Sequence, residues 1–131
     1  MKRHPRLLQL SREHYGALKL ARDARHTAAS GDANEVAALA QRVVAVFPVE
    51  LDPHFCVEEQ GILLLLAQAG RHELVTRTLA DHAELRRLAL ALATPDADTL
   101  LRFADLLGAH VRFEEREVFE AAQASLDTHT V

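Results

Sequence analysis

The feature that most restricts the fold of this 131-residue chain is a helical repeat of apolar residues in four separate stretches. In each stretch the apolar positions recur at alternating steps of three and four, the spacing of one helix face. Each of the four stripes also contains a histidine, so the sequence predicts four amphipathic helices that each carry an inward imidazole. The stripes are Leu7, Leu10, His14, Ala17, Ala21, Ala24 and Ala28; Val43, Phe47, Leu51, His54, Glu58, Ile62 and Leu65; Val75, Thr78, His82, Leu85, Ala89 and Leu92; and Leu100, Phe103, Leu107, His110, Glu114, Val118 and Ala121.

Short breaks between these stretches predict how the helices connect. Ser30-Gly31, Gly70 and Thr94-Pro95 are typical helix stops, and Asp32 or Asn34 can cap the second helix. Connections of a few residues favour antiparallel neighbours, so we expect an all-α, antiparallel up-down-up-down four-helix bundle. The length suits one domain with a core rather than two. We therefore predict a single domain over 1–131, with helices over roughly 7–30, 33–69, 71–93 and 96–125.

Charge and composition exclude several classes of partner. The net charge is −4 and the sequence pI is about 6.0, so we expect no basic face and no nucleic-acid partner. The longest apolar run, residues 62–67, is far shorter than the roughly 20 residues that span a bilayer. We expect no membrane insertion. The one cysteine, Cys56, cannot form an internal disulfide and suits a reducing compartment, so we expect a cytoplasmic protein.

Two segments share the pattern His-x-x-x-Glu-Glu, beginning at His54 and at His110. On a helix, residues four apart stand one above the other, so each segment offers an imidazole and a carboxylate to one point. The first and third helices add one histidine each, beside Glu13 and Asp81. Four nitrogens and two carboxylates divide naturally into two metals with two bridging carboxylates. The candidate metal ligands are His14, His54, Glu58, His82, His110 and Glu114.

The cost of burying charge supports this interpretation. A single histidine on an apolar stripe is commonly a satisfied core residue, but two glutamates in the same interior need a positive partner. Two divalent cations would leave a charge of about +2, which a bridging hydroxide or oxide can offset. Imidazole with carboxylate suits iron, zinc, manganese and other transition metals. Availability and the bridged pattern favour two iron ions, with zinc or manganese as alternatives.

The heights of the candidate ligands along their helices agree for three of the four helices. Counted from the turns at 1.5 Å per residue, His82 is level with the His54 and His110 pairs to within about one helical turn. His14 misses that level by about one and a half turns. Pro48 and Pro53 predict a bend just before His54, and this bend or a longer first loop would have to absorb the difference.

Other polar residues near the motifs have less specific interpretations. Glu13, Asp81 and Glu84 are candidates to orient an imidazole through its second nitrogen, as ligating histidines usually require. Glu59 and Glu115 are either surface charges or outer groups of the site, and Glu115 is the leading substitute ligand. We expect Tyr15 to serve in packing, and Cys56, which should face away from His54, to have no role.

With these motifs the sequence resembles the hemerythrin-like family, the His-His-Glu cation-binding domains. The resemblance covers residues 14–119 and rests on four signatures in order: Glu-His, His-Phe-x-x-Glu-Glu, Asp-His-x-x-Leu and His-x-x-x-Glu-Glu. It implies a di-iron site held by the six candidate ligands, with Glu58 and Glu114 bridging the metals. It also implies a small ligand, which is dioxygen in some members and peroxide or nitric oxide in others.

One departure from the oxygen-carrying hemerythrins bears on function. Those proteins have a second histidine four residues along the third helix, where this chain has Arg86, and a fourth-helix spacing that Glu115 rather than Glu114 satisfies. This argues against simple reversible carriage. Three interpretations remain: a di-iron module that binds or senses dioxygen or a related ligand, a di-iron enzyme acting on peroxide or nitric oxide, and a zinc-stabilised structural bundle.

Overall fold

The computed structural model describes residues 3–129, and every regular element in that range is a helix. Residues 1, 2, 130 and 131 of the predicted domain lie outside the described range. No helix within 3–129 is both long and apolar enough to cross a membrane. The elements are α1 (Pro5–Ser30), α2 (Ala33–Val46), a π-helical turn (Phe47–Leu51), α3 (Asp52–Gln60), α4 (Ile62–Gln68), α5 (His72–Ala91), α6 (Ala97–Phe113), a second π-helical turn (Glu114–Val118) and α7 (Phe119–His129).

These elements form four helical segments of a bundle. The first segment is α1, the second runs from α2 through α4, the third is α5 and the fourth runs from α6 through α7. Their ends follow from local chemistry. The Asp32 carboxylate accepts hydrogen bonds from the first backbone N–H groups of α2, and Asp96 does the same for α6. Gly31 and Gly70 end the first two segments at positive φ (70° and 79°), which glycine adopts without steric cost.

The two π-helical turns change which face of a segment is buried. Each π turn adds a residue to one helical turn, so the helix beyond it is rotated by about 100° relative to a continuous α-helix. After the second turn the buried residues are Phe119 and Ala122, whereas Ala121, predicted to face inward, is only half-buried. The first turn contains Pro48 and lies just before α3, close to the predicted bend.

Gly61 makes a second break in the second segment, between α3 and α4. A Cβ atom at this position would lie 3.0 Å from the Val57 carbonyl oxygen, so the close approach of the backbone requires glycine. The buried face shifts here as well. Leu63 and Leu66 are buried, while Leu65, which the stripe predicted inside, is half-buried.

Two apolar clusters form the core, and the predicted ligand residues lie between them along each segment. In the first segment, His14 stands between Leu10 of one cluster and Ala17 of the other. In the third, His82 stands between Leu74 and Leu85 in the same way. The polar layer is therefore enclosed by apolar packing above and below, which lowers the local dielectric and raises the cost of any unpaired charge.

Polar contacts between segments fix their relative placement. Ser11 and Arg25 of the first segment bond to Glu115 and Asp105 of the fourth. Between the second and third segments, Glu59 bonds to His82 and Asp52 bonds to Arg86.

Candidate metal centre

All six predicted ligand residues lie inside the bundle, in the polar layer between the two apolar clusters. Each of the six residues is at most 6% exposed. His14 is among them despite its predicted misfit in height. The misfit came from counting every residue at the α-helical rise, and both π turns and the break at Gly61 depart from that rise.

The ligand atoms of these residues form two groups, each within a radius suited to one ion. The first group is His14, His54, Glu58 and Glu114, and the second group is Glu58, His82, His110 and Glu114. Within each group the ligand atoms all lie within 4.8 Å of one another. The groups share both carboxylates and differ only in their two histidines.

Each shared carboxylate points one oxygen toward each group. Glu58 Oε2 lies 3.1 Å from His54 Nε2, and Glu58 Oε1 lies 3.1 Å from His82 Nε2. Glu114 follows the same pattern, with Oε1 2.9 Å from His14 Nε2 and Oε2 3.3 Å from His110 Nε2. This division of oxygens is the arrangement that a pair of bridged metal ions requires.

Buried polar atoms without hydrogen-bond partners converge at the centre of these groups. Leaving such atoms unpaired costs about 1–3 kcal/mol each, so an enclosed cluster of them needs a compensating partner. Their chemistry is nitrogen and carboxylate oxygen, the donors that first-row transition metals accept. The residues therefore fit metal ions. The atoms are His54 Nε2, His82 Nε2, His110 Nε2, Glu58 Oε1, Glu58 Oε2 and Glu114 Oε2.

Every ligand histidine has its other ring nitrogen bonded to a carboxylate from a neighbouring segment. An ionised carboxylate only accepts, so each Nδ1–H donates, and with a metal bound each Nε2 would present its lone pair to the centre. The four contacts close a ring around the bundle, from the first segment to the second, third, fourth and back to the first. They join His54 to Glu13 (2.7 Å), His82 to Glu59 (2.8 Å), His110 to Asp81 (3.0 Å) and His14 to Glu115 (2.6 Å).

The outer carboxylates are themselves held to different degrees. Arg86 donates to both oxygens of Glu59 at 2.9 and 3.2 Å. Ser11 donates to Glu115 at 2.8 Å, and Arg3 donates to the same carboxylate at 3.1 Å. Sequence reasoning left Glu59 and Glu115 between a surface and an outer role and missed their anchors. The available signal was position, since each directly follows a buried ligand glutamate.

Without a cation at the centre, protons carry the compensating charge. Burial and the neighbouring Glu114 carboxylate raise the pKa of Glu58 well above its ordinary value. Burial acts the same way on Glu114, but His110 and the other imidazoles outweigh it and hold the pKa of Glu114 well below its ordinary value. Burial opposes charge on His110, yet Glu114 and Asp81 raise its pKa to about 10. The buried carboxylates therefore need a positive charge beside them, which protons supply here and which metal ions could supply instead.

A cavity of about 400 Å³ reaches the first group from the surface between the first and second segments. His14, His54 and Glu114 contribute to its inner wall together with His110, which belongs to the second group, and Gly16 lies on its lining. His82, the other histidine of the second group, is covered instead. The Phe55 ring stacks on the His82 imidazole with centroids 4.0 Å apart. The remaining lining is mostly apolar and includes Ala17, Leu20, Val46, Val49, Leu51, Pro53, Val57, Leu107 and Val111.

The structure also places the other polar residues near the motifs, and it contradicts the packing role predicted for Tyr15. Tyr15 is 77% exposed, so it does not pack in the core, because its position on α1 turns it to solvent. Glu84 pairs with Arg87, one helical turn along the same face, and orients no histidine. Glu115 bonds to the outer nitrogen of His14 and belongs to neither ligand group. Cys56 is a free, half-buried thiol, 3.8 Å from the Arg86 guanidinium.

Comparison with known proteins agrees with this chemistry. The family model described as hemerythrin HHE cation binding domain matches residues 7–122, which includes all six predicted ligands. No curated protein matches the chain. No solved structure matches it either.

Proposed function

This chain belongs to the hemerythrin HHE cation binding domain family, and we propose that it is a non-haem di-iron protein that binds or senses dioxygen or a related small ligand. The observation that carries the proposal is the division of oxygens on the shared carboxylates. Glu58 and Glu114 each direct one oxygen to either group, so each would bridge two metal ions. His14 and His54 would complete the first position, and His82 and His110 the second.

We infer that the bundle around this site runs up-down-up-down with antiparallel neighbours. The polar contacts between the first and fourth segments, and between the second and third, support this order because their residue numbers run in opposite directions. The first and second segments agree, with Glu13 bonded to His54 and Asp23 to Arg42. Such a topology delivers ligands from four segments to one level.

Iron is the metal that we propose for both positions. Two imidazoles and two carboxylate oxygens per position suit iron, and the same donors accept zinc or manganese. The metals would supply redox chemistry and open positions for a small ligand. The chain itself supplies four neutral imidazoles in a fixed tautomer, through the ring of Nδ1–H donations to outer carboxylates.

The cavity directs the ligand to the first position. Its wall is largely apolar and reaches both histidines of the first group, His14 and His54, but only His110 of the second, so a small uncharged molecule can approach the first position most directly. Phe55 covers His82 of the second group. We therefore propose that ligand exchange takes place mainly at the first position.

A second candidate function is turnover of peroxide or nitric oxide. Arg86 stands where oxygen carriers have another histidine, and the structure gives both groups the same number of histidines. Two positions with equal donor sets leave open coordination on both metals, which favours redox turnover over storage of one ligand. The two functions differ in whether the ligand is consumed repeatedly.

Metal analysis of protein from iron-supplemented cells tests the proposal. We expect two iron ions per chain and a charge-transfer absorption in the near ultraviolet in air. We also expect a chelator to lower the melting temperature, since metal bound to the folded state stabilises it by mass action. Zinc as the only tightly bound metal would refute the di-iron assignment and favour a structural bundle.

Peroxide assays then separate the two candidate functions. An oxygen-binding or sensing module should change its spectrum once per added equivalent, whereas a peroxide-degrading enzyme should evolve oxygen over many cycles. His110→Ala should remove at least one metal and any turnover, because His110 belongs to the second group. His72→Ala is the matched control, since His72 is exposed and belongs to neither group.

A further inference from the structure

Arg86 stands one helical turn beyond His82 on α5, and its guanidinium joins two carboxylates of the second segment. It donates from Nε to Asp52 at 2.6 Å and from Nη1 and Nη2 to Glu59 at 2.9 and 3.2 Å. Glu59 in turn accepts the Nδ1–H of His82 at 2.8 Å. The chain of contacts therefore runs from the surface to a ligand histidine through one fixed acid.

This link of the ring is held by a guanidinium fork, whereas Ser11 and Arg3 hold the Glu115 carboxylate through separate contacts. The acid on His54, Glu13, has a more distant contact with Gln9 at 3.3 Å. The planar guanidinium of Arg86 donates to both oxygens of Glu59, and Asp52 accepts a hydrogen bond from the other edge of the same guanidinium. A guanidinium fork of this kind sets distance and orientation together, which a single point charge does not.

We propose that Arg86 is a positioning residue for the second metal position. By clamping Glu59, it would fix the tautomer and orientation of His82 and so strengthen metal binding at the second position. The inference rests on the proposed two-metal site and deepens it. Arg86 would thus act on the metal through two other side chains, Glu59 and His82.

The clamp also keeps Glu59 out of the metal cluster. Glu59 directly follows the shared ligand Glu58, and a free carboxylate so close to two cations would be drawn toward them. Two hydrogen bonds from Arg86, one to each oxygen, hold the Glu59 carboxylate in its place outside the two groups. Loss of the clamp would leave His82 without a defined partner.

The test measures each position alone, using Co²⁺ titration in competition with a chelator. His14→Ala leaves the second position complete, and His82→Ala leaves the first. In the His14→Ala protein, adding Arg86→Met should weaken Co²⁺ binding roughly 10- to 100-fold, the usual effect of losing an outer partner of a ligand histidine. In the His82→Ala protein, the same substitution should leave the Co²⁺ affinity unchanged. A purely structural role would weaken both positions alike and would overturn the proposal.

Two further variants sharpen the result. Arg86→Lys should not restore affinity in the His14→Ala protein, because an ammonium cannot hold Asp52 and both oxygens of Glu59 together. Arg87→Met is the matched control, since Arg87 pairs with Glu84 on the exposed face and should leave both affinities unchanged. Full Co²⁺ affinity in the variant with Arg86→Lys would show that the guanidinium fork is not needed and would overturn the inference.

The unsubstituted protein separates failure of this inference from failure of the proposed function. If it binds fewer than two Co²⁺ ions, the two-metal site itself is wrong. If it binds two Co²⁺ ions, and Arg86→Met changes the affinity in neither the His14→Ala nor the His82→Ala protein, the two-metal site stands and the positioning role is wrong. Urea unfolding of the metal-free variants identifies any that fail to fold, and Glu59→Gln then serves as the second way to break the same link.

Discussion

The two ligand groups have the same donors but different surroundings. Both contain two histidines and the same two glutamates. The first group faces a cavity of about 400 Å³ that opens to the surface, and its orienting acid Glu13 has a side chain that is 42% exposed. The other orienting acid of the first group, Glu115, is 30% exposed. In the second group Phe55 stacks on a fully buried His82, and the orienting acids Glu59 and Asp81 are 22% and 17% exposed.

This difference teaches that access and retention are set outside the ligand shell. A donor set limits which metals bind, whereas the packing around it decides what else can reach them. In this bundle the segments part beside the first group, where Gly16 adds no side chain, and Phe55 covers His82 of the second group. If both positions hold metal ions, we expect small ligands to exchange more readily at the first.

The largest effect is expected from removing a carboxylate that the two groups share. Glu58→Met should abolish tight metal binding at both positions, because Glu58 supplies one oxygen to each. The same change should stabilise the metal-free protein by about 1–3 kcal/mol, since it replaces a buried carboxyl group whose oxygens have no hydrogen-bond partner with an apolar side chain of similar size. Metal analysis and urea unfolding in chelator measure the two effects. Retention of one full-affinity metal would contradict the shared role.

Removing one histidine from each group tests most directly whether the two groups differ in access. His14→Ala and His82→Ala should each lower the metal content from two ions to one. Added imidazole should restore the second ion in His14→Ala, because the cavity reaches that position, and should fail in His82→Ala. His26→Ala, an exposed histidine on α1, is the control. Equal rescue of both variants would show that the second group is as open as the first.

A smaller effect, on rate alone, is expected from narrowing the cavity at Gly16. A Cβ atom there would meet no other atom within 4 Å, so a larger side chain can extend into the opening without displacing the fold. Gly16→Leu should slow the binding of nitric oxide to the iron-loaded protein and leave metal content unchanged, as stopped-flow absorbance can measure. Gly16→Ala should keep the rate and add about 0.5–1 kcal/mol of stability. An unchanged rate in Gly16→Leu would place the route elsewhere.

The smallest effect is expected far from both groups, at the cap of α2. Asp32→Ala removes the side-chain acceptor for two backbone N–H groups and should lower the free energy of unfolding by about 1 kcal/mol. Metal content and imidazole rescue should stay as in the unsubstituted protein. Asp32→Asn, which keeps the acceptor, should restore the stability. A metal deficit in Asp32→Ala would mean that general stability, and not local packing, separates the two groups.

Much of this architecture could be predicted from the sequence, because helical periodicity is a local property. The stripes identified His54 and His82 as inward, and the four-residue spacing paired His54 with Glu58 before any contact was known. The level of His14 along the bundle could not be predicted from periodicity. It depends on departures from α-helical rise, and although Pro48 marks the first π turn, no proline or glycine lies within Glu114–Val118 to mark the second.

The surroundings of the ligands were less predictable, since they depend on which side chains meet across segments. Arg86 looked like the loss of a ligand, and only the structure connects it to His82 through Glu59. Glu84 was an equally reasonable partner for a histidine by spacing, but it faces Arg87. The cavity had no sequence signal at all, because it is bounded by residues from several segments.

The π turn at Glu114–Val118 has a consequence for how this chain could change over time. Which face of the final helix is buried depends on the number of residues in this turn and not on their identity. Losing one residue there would restore regular α-helix and swing Phe119 and everything after it about 100° out of the core. A descendant that lost that residue would have to rewrite its whole carboxy-terminal stripe by one position, much as a shifted reading frame rewrites every codon downstream.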